Sequence, residues 1–203
     1  MAHYRLALLG FGNVGRNLVK LLGEKRAELQ ERYGITFTVT GVASRRLGWL
    51  VNDSGFSLDA VLADPQSAAD QTLDTLDAWL TAARPTVLFE NSSMNPHTGQ
   101  PALDYCRAAL NRGIHVVTAN KGPVVHGYHE LRGLAESRDV RFLFEAAVMG
   151  GAPIFSLFRE ALPACNLKRF RGILNSTTNL ILTEMEHGQS YEAAVKKAQA
   201  MGI

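Results

Sequence analysis

Three glycines, Gly10, Gly12 and Gly15, close the short apolar run from Tyr4 to Leu9 and open a long amphipathic stretch. In Gly10-Phe11-Gly12-Asn13-Val14-Gly15 each glycine has its own physical task. The first permits a tight turn, the second lets bare backbone approach a pyrophosphate, and the third lets the following helix pack closely on the strand. The diphosphate then faces the positive end of the helix dipole and its unpaired N–H groups. A glycine-rich turn that holds nothing is the competing explanation, and the strand before and helix after the motif weigh against it. Phe11, Asn13 and Val14 complete this candidate cofactor loop.

The second strand ends at Ser44-Arg45-Arg46, where NAD-binding chains usually carry an acidic residue for the ribose hydroxyls. An acid repels a 2′-phosphate, whereas a guanidinium grips it bidentately. NADP is therefore favoured over NAD, against the alternative that both arginines are simply solvated. Two later strands end at Asn91-Ser92-Ser93 and at Asn120-Lys121. Ligands of open α/β sheets bind at the carboxyl ends of the strands, so both loops are expected to face the cofactor. Lys121 stands at the start of a helix, where the macrodipole disfavours a cation. That placement suggests a task, meeting a phosphate or an oxygen beside the nicotinamide; a solvated turn lysine is the plain alternative.

Glu145 lies between Phe142-Leu143-Phe144 and Ala146-Ala147-Val148, so its carboxylate needs a basic partner or a cation. An internal salt bridge is favoured on spacing alone, although carbonyls of the small-residue loop that follows suit a hard cation. His126 and His129, three apart, have no nearby ligand to complete a metal site and read as a solvated helix face. Cys106, among Leu103 and Leu110, reads as core.

The elements that must position these residues follow from hydrophobic periodicity. Strands are expected over 4–9, 35–42, 86–90, 114–118 and 141–144, with helices over roughly 14–29, 101–111 and 125–137 and one within 70–80. Alternation of strand and helix predicts a Rossmann-type, doubly wound parallel sheet with right-handed crossovers. Past Asp139 the chain turns to small residues, then an apolar helix (154–162), a strand (167–174) and two more helices, the start of an α/β, α+β-like domain. The domains are thus expected at 1–138 and 139–203.

Together these segments resemble homoserine dehydrogenases. The resemblance rests on Gly10–Gly15, on Thr-Ala-Asn-Lys-Gly-Pro at Thr118–Pro123, on Glu-Ala-Ala-Val-Met-Gly-Gly-Ala-Pro at Glu145–Pro153, and on Arg-Gly-Ile-Leu-Asn-Ser-Thr-Thr-Asn at Arg171–Asn179. It implies interconversion of L-homoserine and L-aspartate 4-semialdehyde with NAD(P)(H), in synthesis of threonine and methionine from aspartate. It places Lys121 beside nicotinamide and substrate, and Asn175, Ser176 and Thr177 in the substrate pocket. It also assigns a monovalent cation, sodium, to Glu145, Val148, Gly150 and Ala152. Many members carry glycine where Ser176 stands. The family pattern continues past Gly202-Ile203 into a segment with a substrate-binding Glu, an Asp and a proton-shuttling Lys. The 203-residue chain is accordingly expected to bind cofactor more readily than it turns over substrate.

Composition sets the outer bounds. Hydrophobic residues make up 46% and the formal net charge is +2, enough apolar matter for a core and too little basicity for a nucleic-acid partner. Two cysteines without metal or redox spacing fit a reducing cytosol. No run is long enough to span a bilayer, so the expected partners are a small-molecule substrate and, in the intact parent, a second copy forming a homodimer. The rival expectations are another amino-acid-pathway dehydrogenase, or a non-catalytic NADP-binding or assembly module.

Overall fold

The computed structural model describes residues 1–149 and 151–202. The chain divides into two compact units, Met1–Ala147 and Val148–Ile203. The first carries a seven-stranded sheet in the order β4-β3-β2-β1-β5-β6-β7. Its strands are β1 (Ala2–Leu9), β2 (Ile35–Ser44), β3 (Gly48–Val51), β4 (Gln71–Leu73), β5 (Val87–Glu90), β6 (His115–Thr118) and β7 (Phe142–Leu143). From β2 through β1, β5 and β6 to β7 the pairings are parallel. The sheet is mixed overall, because β3 and β4 extend it antiparallel from β2. Sequence patterning left these two strands out: they are short, and Gly48 at φ 73° turns the chain straight back into β3.

Side chains of β1 alternate between two cores, as the two-residue period of a strand requires. Ala7 and Leu9 join one cluster with Trp79, Leu88, Leu110, Val116 and Leu131. Leu6 and Leu8 join the other with Phe11, Val19, Val39, Leu50 and Val61. Helices cover both faces: α1 (Asn13–Glu24), α2 (Arg26–Tyr33), α3 (Leu58–Ala63), α4 (Leu76–Ala83), α5 (Ala102–Asn111) and α6 (Lys121–Ser137). The single long helix expected after the glycines breaks at Lys25 into α1 and α2. Trp79 of α4 is fully buried, donates through Nε1 to the Leu50 carbonyl at 2.9 Å, and packs on the bare face of Gly41, where a Cβ would stand 2.8 Å from its ring.

Helix α6 begins at Lys121 rather than near Val125. Pro123 lies in its first turn, where a missing N–H breaks no intrahelical bond. The first unit runs on through Ala147 and so includes β7, which pairs with β6; the sequence boundary at Asp139 falls ahead of that strand.

The second unit holds α7 (Ile154–Ser156), which continues as a wide turn over Leu157–Ala161, then α8 (Ser176–Glu186) and α9 (Tyr191–Ala200). Ala194 and Ala198 of α9 are buried, and Lys197 pairs with Glu184 at 2.8 Å. The strand expected over 167–174 is not formed: these residues are exposed and irregular, and no strand of the unit's described residues stands beside them to complete a ladder. A short run of apolar residues specifies a strand only where such a neighbour exists.

Candidate dinucleotide site

Strand β1 delivers Gly10 to the carboxyl edge of the sheet at φ +99°, in the left-handed region that favours glycine. A Cβ on Gly15 would stand 2.4 Å from the Gly10 carbonyl oxygen, so the first turn of α1 packs on the loop only because that side chain is missing. Gly12 differs from both. Its backbone is extended, a Cβ there would meet nothing within 4 Å, and it caps α1 without a side-chain acceptor. No side chain caps the leading amides of α1, and the space over Gly12 is open, as an anion-binding helix terminus requires. Asn13 and Val14 are exposed on this turn, whereas Phe11 is buried in the core. Only the Phe11 backbone remains for a ligand. The Arg16 guanidinium, absent from the sequence-derived set, lies over the Phe11 ring at 4.9 Å and donates to the Leu62 carbonyl at 2.7 Å.

Three more strand ends join this loop. At β2 the Ser44 hydroxyl accepts from the Leu47 amide at 3.2 Å and so closes the turn that presents Arg45 and Arg46. Both arginines are exposed, and Arg45 Nη2 reaches Ser93 Oγ at 3.4 Å, linking the end of β2 to the loop after β5. Asn91 donates its backbone N–H to the Leu9 carbonyl at 2.7 Å, which seats the β5 loop against β1. Its side-chain Nδ2 is buried with no acceptor among the described residues. At β6, Asn120 caps α6 by accepting the Gly122 N–H at 2.9 Å, and Lys121 follows, exposed, at the first helical position. The structure thus brings the glycine loop, Ser44–Arg46, Asn91–Ser93 and Lys121 to one edge of one sheet.

Sequence reasoning missed Glu90. It is fully buried, accepts from the Ser92 N–H and hydroxyl at 2.8 and 2.5 Å, and accepts from the Thr118 hydroxyl at 2.7 Å. The signal was present as a charged residue closing the apolar strand Val87-Leu88-Phe89-Glu90. Nearby, burial and then the Glu90 charge raise the Tyr105 hydroxyl, and the same causes push the Cys106 thiol well above its ordinary value. Such a thiol stays protonated, which agrees with the assignment of Cys106 to the core.

The remaining candidates fall elsewhere. Glu145 opens a short 3-10 turn in the first unit, while Val148 and Ala152 belong to the second, and Gly150 lies outside the described residues. Among the described residues no cluster of three His, Cys, Asp or Glu side chains could hold a metal. A set of backbone carbonyls is a different kind of site. Asn175 caps α8, its Oδ1 accepting from the Thr178 N–H at 2.8 Å, and Ser176 and Thr177 form the first turn of that helix.

Comparison with known proteins agrees with this geometry. Residues 10–145 match the family model for the NAD binding domain of homoserine dehydrogenase, and residues 153–203 match the homoserine dehydrogenase model itself. The chain is 38% identical over 209 residues to the NAD(+)-dependent homoserine dehydrogenase of Pseudomonas canavaninivorans, which covers 100% of this chain and 59% of that protein. It is 35% identical over 199 residues to the homoserine dehydrogenase of Sulfurisphaera tokodaii, with 98% and 60% covered. A hyperthermophilic archaeal homoserine dehydrogenase in complex with NADPH superposes with a TM-score of 0.82 at 29% identity, over 99% of this chain and 62% of that one. The putative homoserine dehydrogenase of Archaeoglobus fulgidus gives 0.81 at 35%, over 98% and 60%. The chain therefore spans about three fifths of these relatives. With the glycine loop, the strand ends and both family models in accord, the chain belongs to the homoserine dehydrogenase family.

Proposed function

We propose that the first unit binds NADP(H) and that the chain is the front portion of an enzyme oxidising L-homoserine to L-aspartate 4-semialdehyde. The observation that carries this reading is the loop from Gly10 to Gly15: two glycines that tolerate no side chain flank a third that faces open space beneath uncapped amides. A diphosphate satisfies those amides and the positive end of the helix dipole together. Arg45 and Arg46 supply the charge for a 2′-phosphate, which supports NADP over NAD. The Pseudomonas relative is named NAD(+)-dependent and the archaeal structure carries NADPH, so the choice between dinucleotides turns on these arginines rather than on family membership.

The bound nicotinamide supplies hydride transfer. This chain's own contribution is placement: Asn91, Ser92 and Ser93 hold one side of the crevice, and Lys121 brings a cation to substrate and cofactor oxygens. Asn175, Ser176 and Thr177 contribute polar groups for the amino-acid substrate. A monovalent cation, sodium, is the further cofactor of this reading. The protein acts in the cytoplasm on a small molecule of threonine and methionine synthesis, as a homodimer in the full-length parent. Two free thiols, Cys106 and Cys165, suit that reducing setting. Among the described residues no helix is long and apolar enough to cross a membrane.

The test is substrate-dependent reduction of NADP+ and NAD+, with homoserine against other amino-acid alcohols, with and without sodium. Preference for homoserine and NADP+ is the expected result. Equal response to unrelated alcohols removes the substrate assignment.

A further inference from the structure

Strand β5 ends in a carboxylate with 0% exposure, and no ion pair holds it among the described residues. Removing a carboxylate from water is costly unless each oxygen gains strong donors. Glu90 gains them from two different loops. Oε1 accepts the backbone N–H and the hydroxyl of Ser92, at 2.8 and 2.5 Å, in the loop after β5. Oε2 accepts the Thr118 hydroxyl at 2.7 Å, at the end of β6. Thr118 Oγ1 in turn accepts the Asn120 N–H at 2.9 Å, and Asn120 Nδ2 donates to the Ser92 carbonyl at 3.2 Å. The bonds close a ring through Glu90, Thr118, Asn120 and Ser92. Asn120 also caps α6, and Lys121 is the next residue.

Leu88, the other fully buried β5 residue, shows that an apolar side chain meets the packing needs of this strand. What a carboxylate adds is simultaneous acceptance from both loops. The adenosine half of a dinucleotide lies on the β2 side of the crevice, by Arg45 and Arg46, and the nicotinamide half therefore falls over β5 and β6. We propose that Glu90 is a positioning residue for the nicotinamide half of the site, fixing the β5 and β6 loops at the spacing which the nicotinamide end and Lys121 require. The proposal rests on the dinucleotide reading above and adds to it a residue that touches no ligand.

Glu90→Gln keeps an acceptor for Ser92 but presents an amide N–H₂ to the Thr118 hydroxyl, which loses its acceptor. Thr118→Val, of nearly the same shape, removes the hydroxyl itself, and with it both the bond to Glu90 and the acceptor of the Asn120 N–H. Both variants and the wild-type chain are titrated calorimetrically with NADPH and with 2′-phospho-ADP-ribose, which lacks nicotinamide, and each is melted thermally. Both variants are expected to bind NADPH at least about tenfold more weakly, since each removes the hydrogen bond between the Thr118 hydroxyl and the charged Glu90. They are expected to hold 2′-phospho-ADP-ribose within about twofold of wild type, because the β2 side is untouched. NADPH fluorescence should shift with the altered nicotinamide surroundings. If Glu90→Gln fails to fold, Thr118→Val alone decides. Unchanged NADPH affinity overturns the proposal, and so does an equal loss of both ligands with a lowered melting temperature, which marks a merely structural role. Wild-type binding of 2′-phospho-ADP-ribose with no gain from nicotinamide overturns this proposal alone. Failure of the wild-type chain to bind either nucleotide removes the dinucleotide reading as well.

Discussion

Gly10 lies directly against the peptide of Asn91: a Cβ on Gly10 would stand 2.3 Å from both the carbonyl carbon and the carbonyl oxygen of Asn91. The turn out of β1 and the loop out of β5 are therefore two walls of one crevice, packed together where a side chain is missing. With φ at +99°, Gly10 meets a steric and a conformational demand together. Gly10→Ala is expected to destabilise the first unit by at least about 2 kcal/mol, from the left-handed penalty and the clash combined. Denaturant unfolding of wild type and variant measures this directly.

Gly12→Ala separates folding from binding. Its Cβ meets nothing and its extended backbone suits alanine, so the melting temperature should stay within about 1 °C of wild type. The same methyl group occupies the approach of the diphosphate, and NADPH affinity should fall at least about tenfold. Calorimetry beside a thermal melt checks both halves.

Arg45→Ala should weaken NADPH about tenfold and leave NADH unchanged within error, since only NADPH carries the 2′-phosphate. The wild-type preference should shrink as salt rises, because both guanidinium groups are exposed and screened. Competition between the two nucleotides at low and high ionic strength reads this out.

Lys121 stands at the positive end of α6, where a cation opposes the helix dipole. Lys121→Ala should raise stability by about 0.3–1 kcal/mol. Any homoserine-dependent reduction of NADP+ should fall at least about tenfold. A lysine retained only as a solvated turn residue would show no such loss.

Glu130 gives a pH prediction. The Arg107 guanidinium, bonded to Glu130 Oε1 at 2.5 Å, holds this carboxyl below its ordinary value of 4.5. A depressed carboxylate contributes stability that is present above 4.5 and is lost as pH falls through the lower folded value. Both partners are substantially exposed, so screening limits the contribution to about 0.5 kcal/mol. Glu130→Gln should cost that amount at neutral pH, and the gap to wild type should close below 4.5 in paired thermal melts.

The parallel strands were legible because apolar runs such as Val87–Phe89 and Val116-Val117 are buried from both sides and need no alternation. The antiparallel pair β3 and β4 was not, since strands of four and three residues carry too little pattern to stand out. The glycine loop was readable from spacing, as glycine's backbone freedom is a property of residue type. Glu90 was not: a glutamate at a strand end reads as solvated until the fold brings Thr118 alongside it. The expected strand over 167–174 shows the converse, a run with apolar residues at 167, 170, 173 and 174 that has no strand to pair against among the described residues of its unit.

Isothermal titration of this chain with NADPH, repeated with NADH, tests the central claim most directly. Saturable one-to-one binding of NADPH, tighter than NADH and weakened at least about tenfold by Gly12→Ala in a folded protein, is the result predicted. Absence of binding heat for both nucleotides from a cooperatively folded wild-type chain would contradict it.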